Sequence, residues 1–247
     1  MKKRCLSVVG LVLAALACTG VDLGGPRLDD ETLERLTLAM ASQSLQFQPG
    51  ESYDFNVGTV ECCYVFEPVE AGVTWSVAPS EGASIDPATG VFTVAPSTPG
   101  GSVFTVSADV ENGRRIVTID VYVYTPATNP FAGGVWHEET QIVCGTGQEI
   151  TPQEQIGELV LDADGHFAVT WMPFEIYHDY WGTYTFDPDT GALELQIDGG
   201  NYIPPYFDGI GFYAFDDQGR LLLTDIWLGT PLNGSGSPAC GHRFAPW

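Results

Sequence analysis

Residues 103–108 read Val-Phe-Thr-Val-Ser-Ala, so Phe104, Val106 and Ala108 fall on one side of an extended chain and Val103, Thr105 and Ser107 on the other. Successive side chains of a strand point to opposite faces, and this period of two predicts a half-buried β-strand. Val117, Ile119, Val121 and Val123 repeat the period in the next segment, and Glu111-Asn112-Gly113-Arg114 supplies the hairpin turn between the two. Two further stretches, Ser84–Val94 and Tyr184–Leu195, place strand-like runs on both sides of the same Asp-Pro-x-Thr-Gly turn. Proline presets φ at the first turn position and glycine takes the positive φ that closes it, so each is a tight hairpin. From residue 43 onward Gly and Pro punctuate the chain every 8 to 12 residues or so, the spacing of an all-β protein. Ahead of that point, LDDETLERLTLAM (28–40) predicts a short helix capped by Asp29 or Asp30 and bearing Leu33 and Leu36.

The first run of strands, 43–124, sets Trp75 in VTWSV, follows it with the Ile85-Asp86 hairpin and ends on a pair of strands. This order resembles the bacterial immunoglobulin-like domains of cell-surface proteins, which implies a β-sandwich packed around Trp75. The sheet-bridging cysteine pair of antibody domains has no counterpart, because residues 100–124 hold no cysteine to meet Cys62.

A short Pro-containing linker, 125–131, leads to the second segment, 132–247. Strands are expected there at Val135–Thr140, Gly157–Leu161, His166–Trp171, Trp181–Phe186, Ala192–Ile197, Ile210–Phe215, Arg220–Trp227 and Gly241–Phe244. Hairpin-joined strands in that number predict an antiparallel up-and-down β-barrel or a curved meander, which leaves few unpaired edges. Gly134-Val135-Trp136 in the first of these strands and Arg243 in the last resemble the lipocalin pattern, in which a late Arg covers the Trp ring. The resemblance implies that Trp136 and Arg243 form a structural pair, held by a cation–π attraction of about 0.5–2 kcal/mol.

Composition adds an address. Lys2, Lys3 and Arg4 precede an apolar stretch, Val8–Leu16, that ends in small residues, the layout of an export signal. The stretch is far shorter than the ~20 apolar residues a spanning helix needs. Residues 14–18, AALAC, resemble the lipobox of bacterial lipoproteins, which implies cleavage after residue 17 and acylation of Cys18. Residues 18–42 then become a tether, and Thr19 resembles the outer-membrane sorting pattern. Ala15-Leu16-Ala17 also suits an ordinary signal peptidase, so a secreted protein is the alternative to an outer-membrane lipoprotein in the cell envelope.

The full chain carries 9 basic and 32 acidic residues, a net charge of −23; losing the signal leaves six cations, all Arg, and a charge of −26. A chain this acidic is repelled by nucleic acid. Without lysine, the mature chain can run no Schiff-base chemistry. With 44% hydrophobic and 17% charged residues it can still bury a core.

Four cysteines stay in an oxidising compartment: Cys62, Cys63, Cys144 and Cys240. Cys144 and Cys240 bracket the second segment and are the favoured disulfide; Cys62 and Cys63 are then a strained vicinal bridge or two thiols.

Binding candidates gather around YHDYWG (177–182) and GGNYIPPYFDG (199–209). Tyr177, Asp179, Tyr180, Trp181, Tyr202, Tyr206, Phe207 and Asp208 combine rings with carboxylates, the chemistry that recognises carbohydrate, a small apolar ligand or an envelope protein. The competing reading is a barrel wall and loops packed on their own rings. Catalytic signatures are weak. His137-Glu138-Glu139 lacks the second His of a zinc-protease helix, and Ser235 lacks the setting of a nucleophile elbow. Glu175 with Asp179 is a candidate carboxylate pair for a hydrolase acting on polysaccharide. His166, His178 and His242 are scattered, and the acidic runs 162–165, 187–191 and 216–219 fall where turns are required, so no metal, cofactor or catalytic residue is assigned. The expectation is a non-catalytic binding or structural surface module attached to the membrane by its lipid anchor, with the hydrolase as alternative.

Overall fold

In a computed structural model the structure describes residues 27–38, 45–60, 65–172, 178–229 and 239–247. The signal, Cys18, Cys62, Cys63, Glu175 and Tyr177 lie outside these residues. Among the described residues the protein is all-β apart from α1 (Asp30–Glu34), whose N-cap Asp29 accepts a hydrogen bond from the Thr32 amide at 2.7 Å.

The first domain contains β1 (Leu36–Thr37), β2 (Leu45–Phe47), β3 (Ser52–Asp54), β4 (Gly58–Val60), β5 (Phe66–Pro68), β6 (Val73–Ala78), β7 (Ala83–Ile85), β8 (Val91–Val94), β9 (Val103–Val110) and β10 (Arg115–Val123). A four-stranded sheet β2-β10-β9-β6 packs on a three-stranded sheet β3-β8-β7, and a small sheet β1-β4-β5 sits beside them. Alternation set the inward face: Phe104, Val106, Ala108 and Val110 of β9 are buried, and Val117, Val121 and Val123 of β10 join them. Between the sheets Phe92 touches Phe47, Phe55 and Phe104 with ring centroids 5.7–6.4 Å apart, and Phe55 packs on Trp75 at 6.1 Å. Each such ring contributes roughly 1.5–3 kcal/mol by leaving water.

The second domain runs β11 (Val135–Val143), β12 (Glu149–Ile150), β13 (Glu158–Leu161), β14 (His166–Thr170), β15 (Tyr180–Phe186), β16 (Ala192–Gly200), β17 (Ile210–Phe215), β18 (Leu221–Thr224) and β19 (Ala239–Pro246). These form one antiparallel sheet in sequence order, except that the short β12 pairs with Gln141 and Ile142 of β11 on the edge that β11 shares with β13. β11 also pairs with β19 from Trp136↔Pro246 to Val143↔Ala239, so the sheet closes into a barrel. The Cys144–Cys240 disulfide fastens that seam at one end. The interior is packed solid by Leu159, Leu161, Phe167, Leu193, Leu221 and Phe244, among other side chains, all almost fully buried.

Parts of the expected tether and of the expected linker are packed into the two cores. Leu33, Leu36 and Leu38 of the expected tether are buried in the first core, and Leu36 belongs to β1, not to the helix. Arg114 anchors that segment by donating to the Leu28 carbonyl and to Asp30, both at 2.8 Å. In the expected linker, Phe131 plugs the barrel, fully buried against Tyr184, Phe186, Tyr213 and Phe215 at 4.7–5.9 Å. A large apolar side chain gains more from a ready-made pocket than from solvent, which overrides the composition of a linker.

The domains meet at this plugged end. Gln46 of β2 donates from Nε2 to Asp162 Oδ1 and accepts at Oε1 from the Ala163 amide, both at 2.8 Å. Asn129 donates to the Tyr184 hydroxyl, which donates to the Asp162 carbonyl, both at 2.7 Å. Burial first, then the charge of Asp164, push the Asp162 carboxyl up to about 6, with Gln46 and His166 opposing. The folded chain therefore holds this proton more tightly than the unfolded one. The stabilising contribution is complete below the ordinary aspartate range near 3.8 and is lost as pH rises to about 6. Unfolding free energies followed across that interval should show a falling component on the order of 1–3 kcal/mol. Asp162→Asn should remove it, and an unchanged pH slope in the variant would contradict this assignment.

Candidate functional site

The connections of the barrel are sorted by end. At the end facing the first domain, 162–165, 187–191 and 216–220 are tight turns. Gly90 in the first domain and Gly191 here close the two Asp-Pro-x-Thr-Gly turns with φ of +78° and +72°. The acids of these runs serve the turns: Asp187 accepts from the Asp189 amide at 2.8 Å, and Asp216 from the Gln218 and Arg220 amides at 2.9 and 3.0 Å. Burial opposes the Asp216 charge, yet those amides and the Arg220 guanidinium hold its carboxyl down to about 2. A shallow cleft of about 360 Å³ lies between the domains here, lined by Tyr124, Asn129, Asp164 and Phe186 among others.

Among the described residues the longer connections, 144–157 and 201–209 with the described stretches 171–172, 178–179 and 225–229, gather at the far end. Under them lies a buried polar network. His242 and Glu138 have fully buried side chains, and His242 Nδ1 is 2.6 Å from Glu138 Oε1. The Leu228 amide donates to His242 Nε2 at 3.1 Å, so the other ring nitrogen carries the proton and donates to Glu138. Glu138 Oε2 accepts from the Ile156 amide at 2.8 Å. The Tyr180 hydroxyl donates to the Leu228 carbonyl at 2.7 Å, and burial above all, then the charges of Asp179 and Glu138, push its pKa well up, keeping that proton in place. Trp227 stacks on His242 at 5.2 Å. Both imidazole nitrogens and both carboxylate oxygens thus have partners, which makes the pair a clamp on the 151–157 and 225–229 loops.

A register shift makes the network fit. Glu138 pairs with Phe244 and Thr140 with Arg243, so residue 139 is the extra residue of a bulge. Glu138 and Gln141 consequently both point inward, three residues apart. Strict alternation hides this, and the 104-residue separation of Glu138 and His242 hides their meeting. The available signal was closure itself, because a barrel brings its first and last strands together.

The bulge and strand parity also separate Trp136 from Arg243. Trp136 faces inward near the other end, opposite Pro246, with its ring 5.7 Å from Phe215. Arg243 lies between inward-facing His242 and Phe244, so its side chain points outward, where it meets Asp216 at 2.9 Å and Glu149. The expected cation–π pair is not formed.

The remaining candidates divide between wall and rim. Tyr180 is wholly buried, contacting Phe167, Trp171 and Phe207 at 5.6–6.1 Å, and is core, not binding surface. Its inward parity on β15, shared with Gly182 and Tyr184, explains this. Asp179 bridges loops: its Oδ2 accepts from the Trp171 amide at 2.8 Å and its carbonyl from the Tyr202 amide at 2.9 Å. Tyr202 and Phe207 are half-buried, while Asp208 is exposed and pairs through its backbone with Trp227. Trp181 and Tyr206 are exposed, at 42% and 75%. Sequence reasoning missed Trp171, which packs 5.6 Å from Tyr202. The Trp171 Nε1 and Tyr202 hydroxyl are buried with no hydrogen-bond partner among the described residues. His178 Nδ1 lies 3.1 Å from Thr170 Oγ1, remote from the clamp.

No protein-family model matches the chain, and no curated protein matches it. Among solved structures, it is similar to a protein of unknown function from Bacteroides ovatus, with 10% identity, coverage of 89% of this chain and 92% of that one, and a TM-score of 0.28.

Removing one partner of the clamp should be costly. Glu138→Ala leaves the His242 Nδ1–H and the Ile156 amide unpaired and should lower the unfolding free energy by about 3–5 kcal/mol. A double-mutant cycle with His242→Phe should give a coupling above about 1 kcal/mol. Additive effects would show that the two side chains do not act as a unit.

Proposed function

We propose that this chain is an exported cell-envelope protein, held to the membrane through Cys18, that acts as a non-catalytic binding module whose contact surface is the far end of its barrel. The immunoglobulin-like reading of the first domain and the lipocalin-like reading of the second belong to this proposal as architecture, the first as a stalk and the second as a displayed head. The observation that carries the reading is the sorting of connections. The tight turns and the plug face the stalk, and the described parts of the longer connections, with exposed Met172, Ile203 and Tyr206 and the rim residue Trp181, face away from it. Binding residues concentrate on loops that a rigid scaffold positions. The Trp171 and Tyr202 donors, buried without a partner among the described residues, support it, since buried polar groups rarely go unpaired without a reason. The filled barrel favours recognition on the surface over carriage in a lumen.

Native mass spectrometry of the mature chain, recovered from a bacterial envelope, tests this. A non-covalent adduct on the wild type that is absent from the Trp181→Ala, Tyr206→Ala double variant is expected. A bare polypeptide mass in both proteins, across repeated gentle preparations, would overturn the reading.

A further inference from the structure

We infer that the far-end rim binds a neutral polysaccharide laid across the outer wall of the barrel, with the exposed indole of Trp181 as its platform; this rests on the binding-module reading above. Trp181 is the second residue of β15 and points outward, opposite Ala168 of β14 and Gly199 of β16. A Cβ placed on Gly199 would lie 3.0, 3.2 and 3.3 Å from Cζ2, Cε2 and Nε1 of the indole, so the ring packs closely over the glycine and a larger residue there would displace it. The ring is fixed by its neighbours while 42% of the residue faces solvent.

The surroundings are polar, not apolar. β16 pairs Ile197 with Gly182 and Gly199 with Trp181, which leaves Asp198 as the extra residue of a bulge, exposed beside the indole. One step down the same outer face, Thr183 is paired with Gln196, which is exposed. Directly opposite residues on a sheet lie about 5 Å apart. The patch therefore sets one aromatic face among a carboxylate, an amide and a hydroxyl. That is the complement of a pyranose, which offers an apolar C–H face to a ring and hydroxyls at its edges.

Two other occupants fit less well. A protein partner wants a contiguous apolar centre, whereas on the outer wall Trp181 is flanked by Asp198, Thr183 and Gln196, and other exposed apolar residues lie on the far-end connections, at Met172, Ile203 and Tyr206, and on β17, at Ile210 and Phe212. An anionic polymer meets a chain of net charge −23 with Asp198 at the platform itself.

Affinity electrophoresis of the mature chain is a direct test, because its charge gives it mobility in native gels. The gels would contain, one at a time, β-glucan, α-glucan, xylan, galactan and mannan as neutral probes and alginate as the anionic one. Retardation by at least one neutral probe and none by alginate is expected. Trp181→Ala and Gly199→Val should each weaken it at least tenfold, Gln196→Ala severalfold, and Ile210→Ser should leave it unchanged. No retardation by any neutral probe, retardation by alginate alone, or retardation indifferent to Trp181→Ala would each overturn the inference. If these gels are negative while native mass spectrometry still shows an adduct of peptide or lipid mass, the glycan inference fails and the binding-module reading stands; if neither detects a ligand, both fail.

Discussion

The hydrogen bond from His242 to Glu138 joins the first and last strands of the barrel on its inner side, and the far end is organised around it. Two groups of this polarity are costly to bury unless each polar atom finds a partner. The matching partners are the backbone amides of Ile156 and Leu228, each from a different far-end loop. Closure of the sheet and placement of the loops are therefore one event. If the seam opens, the pair is hydrated and both loops lose their anchor. The nearby Cys144–Cys240 bridge spans 96 residues of sequence and restrains the same seam from outside, reducing the freedom of the unfolded chain most where the loop closed is long.

This frame separates two jobs. At the near end, Phe131 and the Gln46–Asp162 joint dock the two domains, and the turns are four or five residues long. At the far end the clamp and the ring layer of Trp171, Tyr180, Tyr202 and Phe207 lie beneath the described parts of the longer connections. A solid interior directs recognition to the rim and outer wall, which is where Trp181 lies. The proposed glycan platform follows from the same parity rule that buries Tyr180: neighbouring residues on β15 face opposite ways.

Much of the fold was legible because period-two alternation and turn residues are local. β9, β10 and eight of the barrel strands lie where apolar alternation and Gly/Pro turns put them, and the favoured Cys144–Cys240 pairing is formed. What alternation could not show is where it breaks. The bulge at residue 139 turns Gln141 inward, and the shift at Asp198 sets Trp181 against Gly199; both depend on the partner strand. Phe131 and Leu38 were misplaced for a related reason, since Pro, Gly and polar neighbours predict exposure unless a distant pocket receives the side chain. The short Gly-x-Trp resemblance suggested the Trp136–Arg243 contact, and strand register undid it. Of the candidate site, the exposed rings were visible in the sequence as residue types, but which rings are wall and which are rim was fixed by parity.

The measurement that tests this account most directly is the protonation state of His242 by nitrogen NMR, read together with hydrogen exchange at the Leu228 amide. The account predicts a neutral ring protonated at Nδ1 and not at Nε2, with Leu228 among the most protected loop amides of the chain. A ring protonated at Nε2, or a Leu228 amide exchanging as freely as an exposed loop, would mean that the clamp does not hold the far end and that its loops are not the ordered surface described.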